Sequence, residues 1–172
     1  YANQVVTNAG DAVEILGNLV VEMGIREEQL VKVGVRDIDE ARCSNRLNLP
    51  RIVVFVEEMA DLVMQNEEIE SLLVRLAQKA RSSGIHLVLA TQRPDAETFS
   101  GLLRSNIPSR IALTVQKASE SRIILDDNGA ELLLGRGDML VRLIGQPIKR
   151  VHGVHVTIDD IALAVKTVKR RT

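Results

Sequence analysis

The sequence predicts an α/β fold built on a largely parallel sheet with helices on both faces. Three observations carry that expectation. The run Ile52-Val53-Val54-Phe55-Val56 is apolar throughout and rich in β-branched residues, the pattern of a strand buried on both faces, as in a parallel sheet. A second such run occupies Ile85–Ala90. Between them Ile69, Leu72, Leu73, Leu76, Ala77 and Ala80 recur at helical spacing. Strand, helix, strand over this distance is a βαβ unit, with a right-handed crossover and both strand ends pointing the same way.

In order along the chain, Gln4–Thr7 reads as a short strand. Asn8 or Asp11 caps a helix that aligns Val13, Leu16, Leu19, Val20 and Met23. Gly17 and Gly24 weaken that helix, and Gly24 is a candidate break. Arg26–Lys32 continues it, and Gly34 stops it. Val35–Asn48 mixes charges and Asn with few apolar residues, and reads as a surface connection running to Pro50. After the strand at 52–56, a helix over Glu67–Arg81 carries Arg75, Lys79 and Arg81 toward its negative pole and ends at Gly84. The second strand, with His86 as a core histidine, leads into Thr91-Gln92-Arg93-Pro94. Thr98–Ser105 is expected as a short helix, Ile107–Val115 as a third strand and Ser119–Leu125 as a further helix. Asn128-Gly129 is a turn and Glu131–Leu134 one helical turn. Met139–Leu143 and Ile148–Val151 flank Gly145-Gln146-Pro147 as a hairpin. Thr157 caps a last helix with Ile158, Ile161, Ala162, Val165 and Val168 inward, ahead of the basic Lys169-Arg170-Arg171.

The 172 residues suit one domain with a substantial core. A net charge of -1 gives no global basic field, so nucleic-acid binding would rest on a local patch. Aromatics are 2% and Trp is absent, which argues against base stacking and for contacts to a phosphate backbone. A single cysteine, Cys43, permits no internal disulfide and fits a reducing compartment. No apolar run reaches the ~18–20 residues of a membrane span, and no signal-peptide pattern opens the chain. A first residue of Tyr1 reads as a piece of something longer, or as a trimmed chain.

The chemistry concentrates where the two buried strands end. Glu57 and Glu58 follow the first strand directly, and in open α/β sheets ligands bind at the carboxyl ends of strands. Two adjacent acids there are costly to desolvate unless a metal, a water or a cation uses them. In a nucleotide hydrolase the first would hold magnesium, directly or through water, and the second would orient or deprotonate the water attacking the γ-phosphate. If the two strands are neighbours, Gln92 falls near Glu58. His86, His152 and His155 lack a Cys or carboxylate cluster and do not suggest a metal site. Asp61 is read as capping the segment after the acids, Arg93 as orienting its loop or pairing locally, and Asp126-Asp127 as a solvated pair.

Several ordered motifs together resemble the RecA-type motor domain of the FtsK/SpoIIIE DNA translocases. They are Arg51–Leu62, Leu76–Pro94, Ile107–Val115, Ser121–Leu125 and Gly135–Leu140, with Leu76-Ala77-Gln78-Lys79-Ala80-Arg81, Gly84–Pro94, Asn106-Ile107-Pro108 and Gly137-Asp138-Met139-Leu140 among the matching residues. Val5-Val6-Thr7 and Gly34-Val35-Arg36 extend the likeness, which covers roughly residues 5–168 and makes the whole chain, 1–172, one RecA-like motor domain. The resemblance implies an ATP-driven, usually hexameric ring that moves double-stranded DNA through a central channel in chromosome or plasmid partition, cell division or DNA transfer. It implies a cytoplasmic setting, reached at the inner face of the membrane through regions outside this chain, with no membrane insertion by this segment. It places Glu57-Glu58 on the Walker B pair, normally Asp-Glu, with Glu57 assisting Mg²⁺ through water and Glu58 the catalytic acid; Met59 replaces the usual Phe. It matches Thr91 and Gln92 to the turn that senses the γ-phosphate of ATP. It makes Arg26, in the basic segment between the Walker motifs, a candidate for the arginine that reaches a neighbouring subunit's nucleotide; Arg122 is a rival. Arg104, Lys117 and Arg136 match channel-facing loops that would neutralise DNA phosphates without reading sequence.

One departure stands out. No Gly-x-x-x-x-Gly-Lys-[Ser/Thr] occurs, the loop whose backbone N–H groups and lysine cradle phosphates. In the family that loop lies upstream of Val5-Val6-Thr7, so the chain is expected to start just after it and to be inactive alone. Two rival functions follow: the related ATPase module of a specialised protein-secretion system, or a catalytically inactive relative that binds DNA or assembles with active subunits.

Overall fold

The computed structural model describes residues 5–169, which fall into two compact units, one over Val6–Ile107 and one from Pro108 onward. Of the strand expected at Gln4–Thr7, residue 4 lies outside the described residues and 5–7 are not strand. The basic tail beyond Lys169 also lies outside them.

The first unit opens with α1 (Ala9–Lys32), capped by the Asn8 side chain, which accepts from the Asp11 N–H. Neither Gly17 nor Gly24 interrupts it, because Ala12, Leu16, Val20, Met23 and Leu30 bury one continuous stripe. Its end is a Schellman motif. The Val35 N–H donates to the Leu30 carbonyl at 3.1 Å and the Gly34 N–H to that of Val31 at 3.0 Å, with Gly34 at φ +68°. The expected surface connection then contains a helix, α2 (Ile38–Cys43). Asp37 caps it, and Ile38 and Ala41 are buried. Two apolar residues in six were too few to show a helical period.

Strand β1 (Ile52–Val56) has the predicted bounds, and β2 (Ile85–Leu89) pairs with it in parallel, Ile52 opposite Ile85 and Val56 opposite Leu89. Between them run α3 (Met59–Gln65) and α4 (Glu68–Lys79). Ile52, Val54, Val56, Ile85, Leu87 and Leu89 join the core made by α1 and α4. The opposite face differs from the expectation of burial on both sides. Val53, Phe55, His86 and Val88 are exposed, Phe55 by 76%, since no other element of the first unit packs on that face. His86 is therefore not a core histidine. The unit closes with α5 (Gly101–Asn106), capped by Ser100.

The second unit is a three-stranded antiparallel sheet, β3 (Arg110–Ala112), β4 (Asp138–Arg142) and β5 (Lys149–His152), in that order. Helix α6 (Ala118–Leu125) and a 3-10 turn (Ala130–Leu132) cover it through Ala112, Leu125, Ala130 and Leu133. The third strand is shorter than predicted and pairs with β4 rather than joining the parallel pair. The last helix, α7 (Ile158–Lys169), is capped as expected: the Thr157 N–H donates to Asp160 and the Asp160 N–H to the Thr157 hydroxyl. Its apolar stripe is exposed, not inward.

Candidate active site

Parallel pairing puts the last residues of β1 and β2 side by side. The chain leaving them is laced together, with Ala90 N–H donating to the Val56 carbonyl at 2.8 Å and Met59 N–H to the Ala90 carbonyl at 2.9 Å. That lacing brings the acid couplet onto the turn at 91–93. Glu58 Oε1 accepts from the Thr91 hydroxyl at 2.5 Å, and Oε2 accepts from the backbone N–H of Gln92 at 2.8 Å. The sequence reading that Gln92 falls near Glu58 holds, but through its backbone. The Gln92 side chain is exposed at the same rim.

The electrostatics of Glu58 follow from these contacts. Partial burial pushes its pKa up. The Thr91 hydroxyl, the N–H groups of Gln92 and Ala60 and the charge of Arg93 outweigh that push, and the carboxyl stays below the usual glutamate range. Glu58 is thus an anion at neutral pH with both oxygens oriented. Glu57, one residue earlier, is exposed, and no hydrogen bond among the described residues holds it. A free, hard carboxylate of this kind suits Mg²⁺, which takes one or two carboxylates and completes its shell with water and phosphate oxygens.

Arg93 pairs loosely with Asp61 at 3.6 Å, in the first turn of α3. Behind it Asp95 accepts from the Thr98 N–H at 2.7 Å, the Thr98 hydroxyl at 2.7 Å and the Glu97 N–H at 3.1 Å. These bonds, that from the Thr98 N–H foremost, hold the Asp95 carboxyl below its ordinary pKa and fix the segment after the turn.

Arg26, expected as a catalytic arginine, is placed away from the acid couplet. It is 3% exposed, and donates to Glu22 Oε1 at 2.7 Å, to the Pro50 carbonyl at 2.7 Å and to the Ser83 carbonyl at 3.1 Å. Pro50 and Ser83 each lie two residues before a strand, so Arg26 sits at the amino ends of β1 and β2, opposite the couplet. A guanidinium buried and bonded in this way ties helix to strands.

Of the basic residues, Arg104 is half-buried in the last turn of α5, in the first unit. Lys117 and Arg136 are both exposed in the second. Their loops adjoin: Val115 N–H donates to the Ala130 carbonyl at 3.3 Å and the Thr114 hydroxyl to the Leu133 carbonyl at 3.5 Å. Arg122 donates to Asn128 at 2.7 Å. Asp126, read as solvated, instead receives Arg110 and Arg142, each at 2.8 Å, at the end of α6. Nothing in the local sequence signals that cluster, because its partners come from β3 and β4. Among the described residues no group of His, Cys, Asp and Glu forms a metal cage, and no helix is long and apolar enough to cross a membrane.

Two parallel strands backed by helices, with an acid couplet at their carboxyl ends, make a RecA-like α/β core. The chain belongs to the FtsK/SpoIIIE family, whose model matches residues 1–96. It is 45% identical over 98% of its length to the DNA translocase FtsK of Streptococcus pyogenes serotype M1, and 44% identical over 96% to that of Lactococcus lactis subsp. cremoris, spanning 22% and 23% of those relatives. Among solved structures it is similar to the pCW3 conjugation coupling protein TcpA (TM-score 0.87, 28% identity, 98% of this chain and 51% of that one). It is also similar to the cytoplasmic domain of the Type VII secretion ATPase EccC of Thermomonospora curvata (TM-score 0.72, 25% identity, 83% and 17%).

Proposed function

We propose that this chain carries the hydrolytic half of the nucleotide site in an ATP-driven double-stranded DNA translocase that works as a homo-oligomeric, hexameric ring. The observation that carries the reading is the Glu58 carboxylate, held as an oriented anion at the rim by Thr91 and Gln92. An acid so fixed suits the water-positioning role of nucleotide hydrolysis, in which geometry matters more than base strength. The exposed Gln92 side chain is available to the γ-phosphate. Glu57 would hold Mg²⁺, which neutralises phosphate charge when bound. The phosphate cradle is absent from these 172 residues as a sequence motif. The relatives named DNA translocase support duplex DNA as the substrate, and exposed Lys117 and Arg136 on adjoining loops supply phosphate-neutralising charge. The Type VII secretion neighbour favours a second reading, in which the same site drives polypeptide.

The test is Glu58→Gln in the full-length protein. ATP turnover should fall by at least about 100-fold while ATPγS still binds, since the substitution keeps shape and removes the charge. Turnover at the wild-type rate would overturn the assignment.

A further inference from the structure

The hydrogen bonding at the rim gives Thr91 a role different from reading the γ-phosphate. Its hydroxyl has one proton to donate. It accepts from the Arg93 N–H at 3.1 Å, and its short contact, at 2.5 Å, is to Glu58 Oε1; the alternative acceptor, the Arg93 carbonyl, is 3.4 Å away. With the N–H side of the hydroxyl filled by Arg93, the proton points to Glu58. Oε2 is meanwhile fixed by a backbone N–H that no substitution at 92 other than proline removes. Among the described residues Thr91 is therefore the side chain that hydrogen-bonds this carboxylate, beside the backbone N–H groups of Gln92 and Ala60.

We infer that Thr91 is a positioning residue for hydrolysis, which fixes the Glu58 carboxylate in the orientation that receives the attacking water, and that it does not bind the nucleotide. This rests on the reading of the rim as a hydrolytic site. A charge-assisted bond between side chains on adjacent strand ends is short and directional, and small displacements of a water-positioning group are expensive in rate. The Gln92 side chain is then left as the part of the turn that contacts phosphate.

The experiment uses the full-length protein with Thr91→Val, which keeps the shape and removes the hydroxyl, Thr91→Ser, which restores it, and Glu58→Ala alone and combined with Thr91→Val. Steady-state and single-turnover ATP hydrolysis are measured beside ATPγS and ADP affinity. The expected result for Thr91→Val is a loss of about 10- to 100-fold in kcat, with KM for ATP and both affinities unchanged. Thr91→Ser should recover most of the rate. On the Glu58→Ala background, Thr91→Val should cost nothing further. A selective loss of ATPγS affinity relative to ADP would overturn the inference in favour of direct phosphate contact. An undiminished kcat, or a penalty that persists without Glu58, would overturn it too. Should Thr91→Val not fold, Thr91→Ala carries the same expectations. If Glu58→Ala itself hydrolyses normally, the hydrolytic reading of the rim fails; if it is inactive and Thr91→Val is not slowed, only the positioning role fails.

Discussion

Asp138 fixes the loop that presents Arg136. Its carboxylate is almost fully buried and is gripped by Arg150 at 3.0 and 2.6 Å, with one oxygen also accepting from the Leu134 N–H at 2.8 Å. Between Leu134 and Asp138, Gly135, Arg136 and Gly137 all have positive φ, at 79°, 53° and 92°. A Cβ on Gly137 would lie 3.0 Å from the Gly153 carbonyl oxygen, so the residue must be glycine for space as well as for conformation. The arginine side chain, then the Leu134 N–H, hold Asp138 down to a pKa of about 2. The folded-state pKa lies below the unfolded value of about 3.9, so the contribution to stability is complete above that value and is lost as pH falls through about 2. Asp138→Asn should therefore lower Tm at neutral pH and flatten the acid limb of a Tm-against-pH curve between about pH 4 and 2. An unchanged limb would show that the pair contributes nothing. Gly135-Arg136-Gly137 is rich in glycine, but the anchor of this loop at Arg150 is non-local and leaves no trace in the local sequence.

Elements were legible where a long period or a buried run repeats, as in α1, α4, β1 and β2. They were less so where one side chain replaces a stripe. Arg26 lies among the apolar positions of α1's buried face, and a charge there reads as a break or as a functional group. The structure instead uses it as a strut from α1 to the chain entering both parallel strands. Gly84 completes that end of the sheet: at φ +73°, a Cβ there would meet Ile38 Cδ1 at 2.5 Å. This seats α2, the helix that the polar segment concealed. Arg26→Ala removes a buried guanidinium and leaves the Pro50 and Ser83 carbonyls without it, at a cost of about 2–4 kcal/mol. Chemical denaturation should report that loss with ATPγS affinity per folded molecule intact. Full stability together with lost turnover would return Arg26 to the catalytic set. The exposed stripe of α7 and the open face of β1 and β2 show the converse: periodicity finds an amphipathic element without telling what covers it.

For the molecule as a whole, the candidate site was legible because its two halves each follow a buried strand, and parallel pairing of those strands joins them. What the sequence withheld was the direction of each bond: that Gln92 meets Glu58 by its backbone, and that the Thr91 hydroxyl is spent on Glu58. The same rim suits a motor on DNA or on polypeptide; on the proposed reading the substrate is duplex DNA, met by Lys117 and Arg136, which stand exposed on adjoining loops of the second unit. The measurement that reaches this coupling is ATP turnover by the full-length protein as duplex DNA is titrated at several salt concentrations. Turnover should rise with duplex, and the DNA needed should increase steeply with salt. That salt slope should fall by about one for each of Lys117→Ala and Arg136→Asn. Turnover indifferent to duplex at low salt would contradict the account.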